Sequence, residues 1–294
     1  VGEVVAAAVV AHQPLVMVPS HRRVRLGGTG RDTTLVEPGY RELRAHLAAC
    51  RADTLVIVDT HWFTTSHHAV AGADHFRGVY TSDEMPDVIT DVAYDYPGAP
   101  DLARLVTETG RDRGLPMVNA TSPALPRHYP TINLVHHLHT GQGVLSLGVL
   151  QTASPRHFLD LGAVLADAVA RSDRRVAVLG SGGLSHTFWP IDDQAGKIAF
   201  DPDLVFSRRA QAYDGVILDR WSDGDHAGVV DLYPEYETVR PEGLFAHYFV
   251  LLGAIGGVGC RARGRQVSSY ENALGTGQVH VVFDLAAPAD RADR

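Results

Sequence analysis

Short, nearly continuous apolar runs rich in β-branched residues alternate along this chain with stretches of helical periodicity. Residues 4–10, 54–58, 144–150 and 175–179 are runs of strand length, the pattern expected of strands buried on both faces of a largely parallel sheet. Between them, residues 40–50 set Tyr40, Leu43, Leu47 and Cys50 on one stripe, and residues 158–169 set Phe158, Leu161, Leu165 and Ala168 at the same spacing. Pro241-Glu242 predicts the start of a helix through Leu252, with proline in the first turn where its missing N–H costs nothing. Weaker helical patterns cover residues 206–218 and 226–233. With no repeat of solenoid length and no Pro/Gly/Ser-rich linker, this alternation predicts an α/β fold. It reads as one domain over residues 1–294, a central, largely parallel or mixed sheet flanked by helices, with a frayed tail over residues 286–294. The glycine-rich residues 26–32 lack the Lys-Ser/Thr ending of a phosphate loop and read as a surface loop.

Composition narrows the function classes. The chain has 294 residues and 45% hydrophobic content, enough for a sizeable core. Its 26 Lys and Arg against 34 Asp and Glu give a net charge of −8, and no basic run exceeds a pair, which argues against nucleic acid or an anionic membrane as partner. The apolar opening over residues 4–18 follows Glu3, contains His12 and Pro14 and is too short to span a bilayer, so it reads as a strand rather than a signal. Cys50 and Cys260 belong to no C-x-x-C pair, and a reducing cytoplasm is expected. The sixteen histidines are what remain to be explained.

Three apolar runs end in histidine. Residues 4–10 lead into Ala11-His12, residues 54–58 into Asp59-Thr60-His61-Trp62, and residues 175–179 into Gly180-Ser181-Gly182-Gly183-Leu184-Ser185-His186. Ligands of open α/β sheets collect at the carboxyl ends of strands, so if these strands are parallel neighbours the three imidazoles share one rim. The glycines before His186 permit close backbone approach to a bound group, or make an ordinary turn. A metal held here needs an anionic ligand, for which Glu242 is a candidate, although a helix dipole alone would favour an acid in a first turn. His136, His137 and His139 lie near a helix end before Gly141, where imidazolium complements terminal carbonyls. His46 flanks an apolar stripe, and His67, His68 and His75 line a pocket mouth or are solvated. His128, with a proline two residues away on each side, sits in a stiffened loop and is undecided by itself.

At these residues the sequence resembles the class III extradiol catechol dioxygenases, in particular their homoprotocatechuate 2,3-dioxygenase branch. The likeness runs through Val56-Ile57-Val58-Asp59-Thr60-His61-Trp62, Ala73-Asp74-His75-Phe76-Arg77-Gly78-Val79-Tyr80-Thr81-Ser82, Tyr94-Asp95-Tyr96, residues 176–186, Leu232-Tyr233-Pro234-Glu235-Tyr236 and Gly275-Thr276-Gly277-Gln278-Val279. The resemblance implies that His12, His61 and Glu242 ligate Fe(II), with Glu235 and Glu237 as rival carboxylates, and that His186 is the acid/base residue. It also matches His128 to a second active-site histidine of the wider family. It implies a small-molecule catechol and O₂ as substrates, a hydroxymuconic semialdehyde as product, no organic cofactor, and a homo-oligomer. The catechol expected is 3,4-dihydroxyphenylacetate-like, with Arg127, Arg240, Arg77 and His68 all candidates to meet its carboxylate; a neutral or amine-bearing catechol would need something else, and the alternative is the same chemistry on a different catechol or an aminophenol in a biosynthetic pathway. A zinc hydrolase would accept the same donors, but the chain has no local H-E-x-x-H frame. A silent partner subunit would have no need of all four of His12, His61, Glu242 and His186.

Overall fold

The four apolar runs become adjacent, parallel strands in the middle of one mixed sheet. A computed structural model describes residues 1–27 and 30–285. Its strands are β1 (Glu3–Val10), β2 (Thr54–Thr64), β3 (His68–Ala71), β4 (His75–Tyr80), β5 (Val92–Pro97), β6 (Met117–Ala120), β7 (Gly143–Leu150), β8 (Arg175–Ser181), β9 (Arg263–Gln266), β10 (Glu271–Ala273), β11 (Thr276–Gln278) and β12 (His280–Asp284). Its helices are α1 (Ser20–Gly27), α2 (Arg41–Ala49), α3 (Pro100–Asp112), α4 (Tyr129–Leu138), α5 (Pro155–Ala170), α6 (Arg208–Asp223), α7 (His226–Tyr236) and α8 (Ala246–Ala254). The eight-stranded sheet has the order β6-β3-β7-β2-β8-β1-β12-β9, and β4-β5 and β10-β11 form separate two-stranded ribbons. β7, β2, β8 and β1 run parallel, while β12 joins β1 antiparallel and β3 joins β7 antiparallel. The sheet is therefore mixed at its flanks and parallel at its centre, as the runs imply.

Period-two alternation along the central strands sends neighbouring side chains to opposite layers. Val56 and Val58 join a core with Leu102 and Val106 of α3, Leu161 and Leu165 of α5 and Phe249 of α8. Leu55 and Ile57 join Leu43 and Leu47 of α2 and Leu134 and Leu138 of α4 on the other face. Each such fully buried aliphatic side chain stabilises the fold by about 1.5–3 kcal/mol, so the stripes hold both helical layers against the sheet. The carboxyl ends of four parallel strands consequently open on one rim.

Two local expectations are corrected. The helix expected from Pro241 begins at Ala246, because Gly243, Leu244 and Phe245 adopt left-handed φ values of 53°, 60° and 58° that an α-helix cannot contain. Glu242 thus lies in a tight turn before the helix, and a helix dipole does not account for it. In the glycine-rich stretch, Leu26 and Gly27 end α1 rather than belonging to the loop, whereas Gly30, Arg31 and Asp32 do lie in a loop at the surface, with Asp32 accepting hydrogen bonds from Arg23 and Ser20. Gly28, Thr29 and the tail over residues 286–294 lie outside the described residues.

Candidate active site

His12 lies two residues beyond β1, and both ends of it are anchored. Its Nδ1 is 2.8 Å from Ser181 Oγ at the end of β8, and its carbonyl accepts from Asn133 Nδ2 at 2.7 Å. Its Nε2 is left facing Glu242 Oε1, 2.9 Å away. His61 reaches the same point through a break in β2. Pairing with β7 runs in register to Asp59↔Gly148 and resumes at Phe63↔Val149, so Thr60, His61 and Trp62 bulge out of the ladder. The buried Asp59 fastens this bulge, accepting His61 N–H at 3.0 Å and the Thr131 hydroxyl at 2.6 Å. The His61 ring then sets Nδ1 at 2.8 Å from Glu84 Oε1 and Nε2 at 3.5 Å from Glu242 Oε1. The Tyr129 hydroxyl also lies 2.8 Å from His61 Nε2.

Glu242 and His186 are brought together by their backbones. Ser185 bridges Pro241, Glu242 N–H donates to Leu184 O at 3.0 Å, and His186 N–H donates to Arg240 O at 2.8 Å. The buried Glu242 carboxylate accepts from Thr60 Oγ1 at 2.8 Å and from Gly183 N–H at 2.5 Å. A Cβ on Gly183 would stand 2.6 Å from Gly277 O, so the glycine is needed for that close approach. The group its backbone approaches is this chain's own carboxylate. Arg240, Leu244 and Phe245, at φ 55°, 60° and 58°, bracket Glu242 with strained backbone that the surrounding packing must hold. His186 Nε2 is 3.9 Å from Glu242 Oε2, outside hydrogen-bond range, and its ring meets the edge of Phe188.

The charges of the cluster are strongly coupled. Burial by itself would push His61 down, but hydrogen bonds to Glu242 and Glu84 outweigh it and raise the ring to about 10. Burial likewise favours a neutral Glu242, yet His12, His186 and His61 hold its carboxyl well below the usual range. His186 goes the other way, because its burial exceeds the pull of Glu242 and lowers it from its ordinary value, favouring the neutral ring. One donor atom each from His12, His61 and Glu242 lie within 4.8 Å of one another. Both imidazoles have Nδ1 anchored and Nε2 directed at one carboxylate, the donor set and outer support of a divalent first-row metal with open positions. The chemistry of the donors therefore fits a metal ion. A negative potential able to raise His61 so far suits a cation in place of that proton.

Above the cluster opens a cavity of about 240 Å³, lined on the cluster side by His12, Tyr129, His186 and Glu242. Tyr129 and Glu84 are the site residues that sequence reasoning missed. Tyr129 stands beside His128, but nothing in its neighbourhood marks it, and Glu84 lies in an unremarkable acidic stretch. His128 itself caps the start of α4 and lines an adjoining cleft with Tyr80, Asp83, Tyr94 and Arg127. Glu235 and Glu237 are exposed, the former accepting from the Tyr213 hydroxyl, and neither belongs to the cluster. Arg127 stacks over Phe76, Arg77 pairs with Asp95, Arg240 lines a separate groove, and His68 is buried near Phe158. His136 and His137 do fall in the last turn of α4, but burial pushes His137 down to about 3, so it bonds Val16 O as a neutral ring rather than capping its helix as a cation.

Comparison with known proteins agrees with this geometry. The sequence model of a family described as the catalytic LigB subunit of aromatic ring-opening dioxygenase matches residues 6–284. The chain is 30% identical over 223 residues, 74% of its length and 79% of the relative's, to 3,4-dihydroxyphenylacetate 2,3-dioxygenase of Escherichia coli. It is 26% identical over 211 residues, 65% of its length and 73% of the relative's, to the 4,5-DOPA dioxygenase extradiol of Mirabilis jalapa. It is 24% identical over 200 residues, 63% of each chain, to the 2-aminophenol 1,6-dioxygenase beta subunit of a Pseudomonas species. The crystal structure of the uncharacterized protein JW3007 from Escherichia coli K12 shares the fold, with a TM-score of 0.54, 15% identity, and coverage of 95% of this chain and 99% of that one.

Proposed function

The chain belongs to the LigB family of aromatic ring-opening dioxygenases and is an extradiol dioxygenase, an oxidoreductase, and on that premise we propose that it cleaves a substituted catechol with O₂ beside the diol. The substrate is of the size of 3,4-dihydroxyphenylacetate, the product a hydroxymuconic semialdehyde and the metal Fe(II), held by His12, His61 and Glu242. The observation that carries this reading is the convergence of His12 Nε2 and His61 Nε2 on Glu242 Oε1, at 2.9 and 3.5 Å. When bound, a ferrous ion supplies a common anchor for diol and oxygen and a path for electrons between them.

The chain's own residues do the remainder. Ser181 and Glu84 hold Nδ1 of His12 and His61, which keeps each Nε2 lone pair turned inward, and Gly183 N–H and Thr60 Oγ1 hold the Glu242 carboxylate. His186 takes a proton from a catechol hydroxyl at its ring nitrogen and returns it to oxygen as the ring opens, a task suited to an imidazole neutral at working pH. The Tyr129 hydroxyl, 2.8 Å from His61 Nε2, lines the same end of the cavity and would turn to the diol once that nitrogen holds the metal. His128, in the adjoining cleft, is given no step. Relatives named for 2-aminophenol support a second reading, the same chemistry on an aminophenol. A homo-oligomer is part of the proposal on the strength of the resemblance, although two relatives are named as the unlike alpha and beta subunits of 2-aminophenol 1,6-dioxygenase. Among the described residues no helix is long and apolar enough to cross a membrane. Cys50 and Cys260, which belong to no C-x-x-C pair, support a place in the cytoplasm.

Oxygen uptake by anaerobically Fe(II)-loaded protein tests the proposal, with catechol, 3,4-dihydroxyphenylacetate, a 4-alkylcatechol and 2-aminophenol as substrates. Uptake matched mole for mole by a yellow ring-opened product is expected. No uptake with any of them, from protein shown to hold iron, overturns it.

A further inference from the structure

The far half of the cavity has a different character from its metal-binding end. Between the cluster and the mouth the wall is built by Leu15, Val18, Val88, Phe188, Ile198 and Leu274. Several of these pack as a small apolar cluster of their own, apart from the two cores that hold the sheet. Phe188 is 53% exposed and Leu26, also at the mouth, 40% exposed, so large apolar side chains face water where a substrate's tail would lie. Covering such surface gains about 25 cal/mol per Å².

The charged lining points the same way. Beyond the cluster, the acids that line the cavity are Glu84 and Asp87, and the one Arg or Lys among the described lining residues is Arg22, which is solvent-exposed on α1. Arg127, Arg77 and Arg240, the cations the sequence offered for a carboxylate, all lie outside this cavity. A carboxylate on the ring would pass two acids and find in Arg22 an exposed guanidinium, a pairing worth little in water, with a neutral amide donor in Gln13, whose buried Nε2 has no partner among the described residues. An ammonium fares little better, since Glu84 already accepts from His61 and Asp87 is exposed at the rim.

We infer that the ring substituent this enzyme selects is apolar and uncharged, an alkyl or arylalkyl group, rather than a carboxylate. The inference rests on the catechol-cleaving reading above. Its test compares 4-propylcatechol, 3,4-dihydroxyphenylacetate and dopamine, by kcat/KM from oxygen uptake and by anaerobic calorimetric affinity with the Fe(II)-loaded protein. The propyl compound is expected to exceed both charged ones by about tenfold or more in each measure, as burial of two or three methylenes implies. Val88→Arg, which puts a cation inside the wall, is expected to shift the ratio of 3,4-dihydroxyphenylacetate to 4-propylcatechol at least tenfold toward the acid. A wild-type preference for either charged catechol overturns the inference and leaves the ring-cleaving reading standing. No turnover of any of the three overturns the reading itself, while the anaerobic affinities still rank the substituents.

Discussion

His61 and His68 lie seven residues apart on consecutive strands, and both are largely shielded from water, yet they sit in opposite electrostatic states. Burial opposes charge on both rings. At His61 the carboxylates of Glu242 and Glu84 overcome it and raise the ring to about 10, whereas at His68 nothing does and the ring falls to about 4. His247 and His280, fully buried behind the sheet's rim, follow His68, pushed down by burial to about 4 and about 3. His280 spends both nitrogens on backbone, accepting from Ala11 N–H and donating to Leu35 O, and neither nitrogen of His68 has a hydrogen-bond partner among the described residues. An abundance of histidine therefore marks no site by itself. The carboxylate that meets the imidazoles does, because it turns buried rings from neutral fillers into a pocket for positive charge.

The sharpest way to break this contrast is to remove one member from each set. His61→Ala and Glu242→Ala should each lower bound iron below about a tenth of the wild-type content and abolish ring cleavage, whereas His68→Leu and Glu235→Ala should retain it. Elemental analysis of protein loaded with Fe(II) decides this, and iron retained in Glu242→Ala would sink the ligand assignment. His186→Phe keeps the metal donors and should bind iron and catechol normally, with kcat lower by about 10²–10⁴. Single-turnover kinetics showing unchanged rates would remove His186 from proton transfer. Glu84→Gln leaves every proposed ligand in place but weakens the hold on His61 Nδ1, and metal affinity should fall about 10–100-fold in a chelator competition.

The smallest effect is expected from the neutral set, and it has a definite sign. His68 titrates at its ordinary 6.5 when unfolded and at about 4 when folded, so between those values the unfolded chain binds the extra proton. The penalty is absent above pH 6.5 and grows as the pH falls toward 4, reaching about 2 kcal/mol at pH 5. Urea unfolding at pH 7 and pH 5 should show His68→Leu losing less stability on acidification than wild type by about that amount. An equal loss in both proteins would mean that His68 is not held neutral.

How much of this was legible beforehand follows from the range of each interaction. The apolar runs of β1, β2, β7 and β8 and the stripes of α2 and α5 are visible because burial imposes its period on neighbouring residues. His12, His61 and His186 were identifiable as a group because parallel strands carry whatever follows them to the same edge. The short flanking strands β3, β6, β9 and β12 were not, since four or five residues of mixed polarity carry no period. Glu84 and Tyr129 reach His61 from a loop and a helix start that no pattern marks.

The sequence alone thus determined the layered α/β architecture, the direction of the central strands and the rim where chemistry belongs. Tertiary structure decided the rest. The bulge after Asp59 turns His61 out of its ladder, and the left-handed turn after Glu242 sets its carboxylate against three imidazoles. It also decided that the half of the cavity away from the cluster is largely apolar, with Arg77, Arg127 and Arg240 elsewhere. The reason is physical: periodic burial acts between residues close along the chain, whereas a metal site and its charges depend on ångström distances between residues up to 230 positions apart, such as His12 and Glu242, which exist only once the sheet has formed.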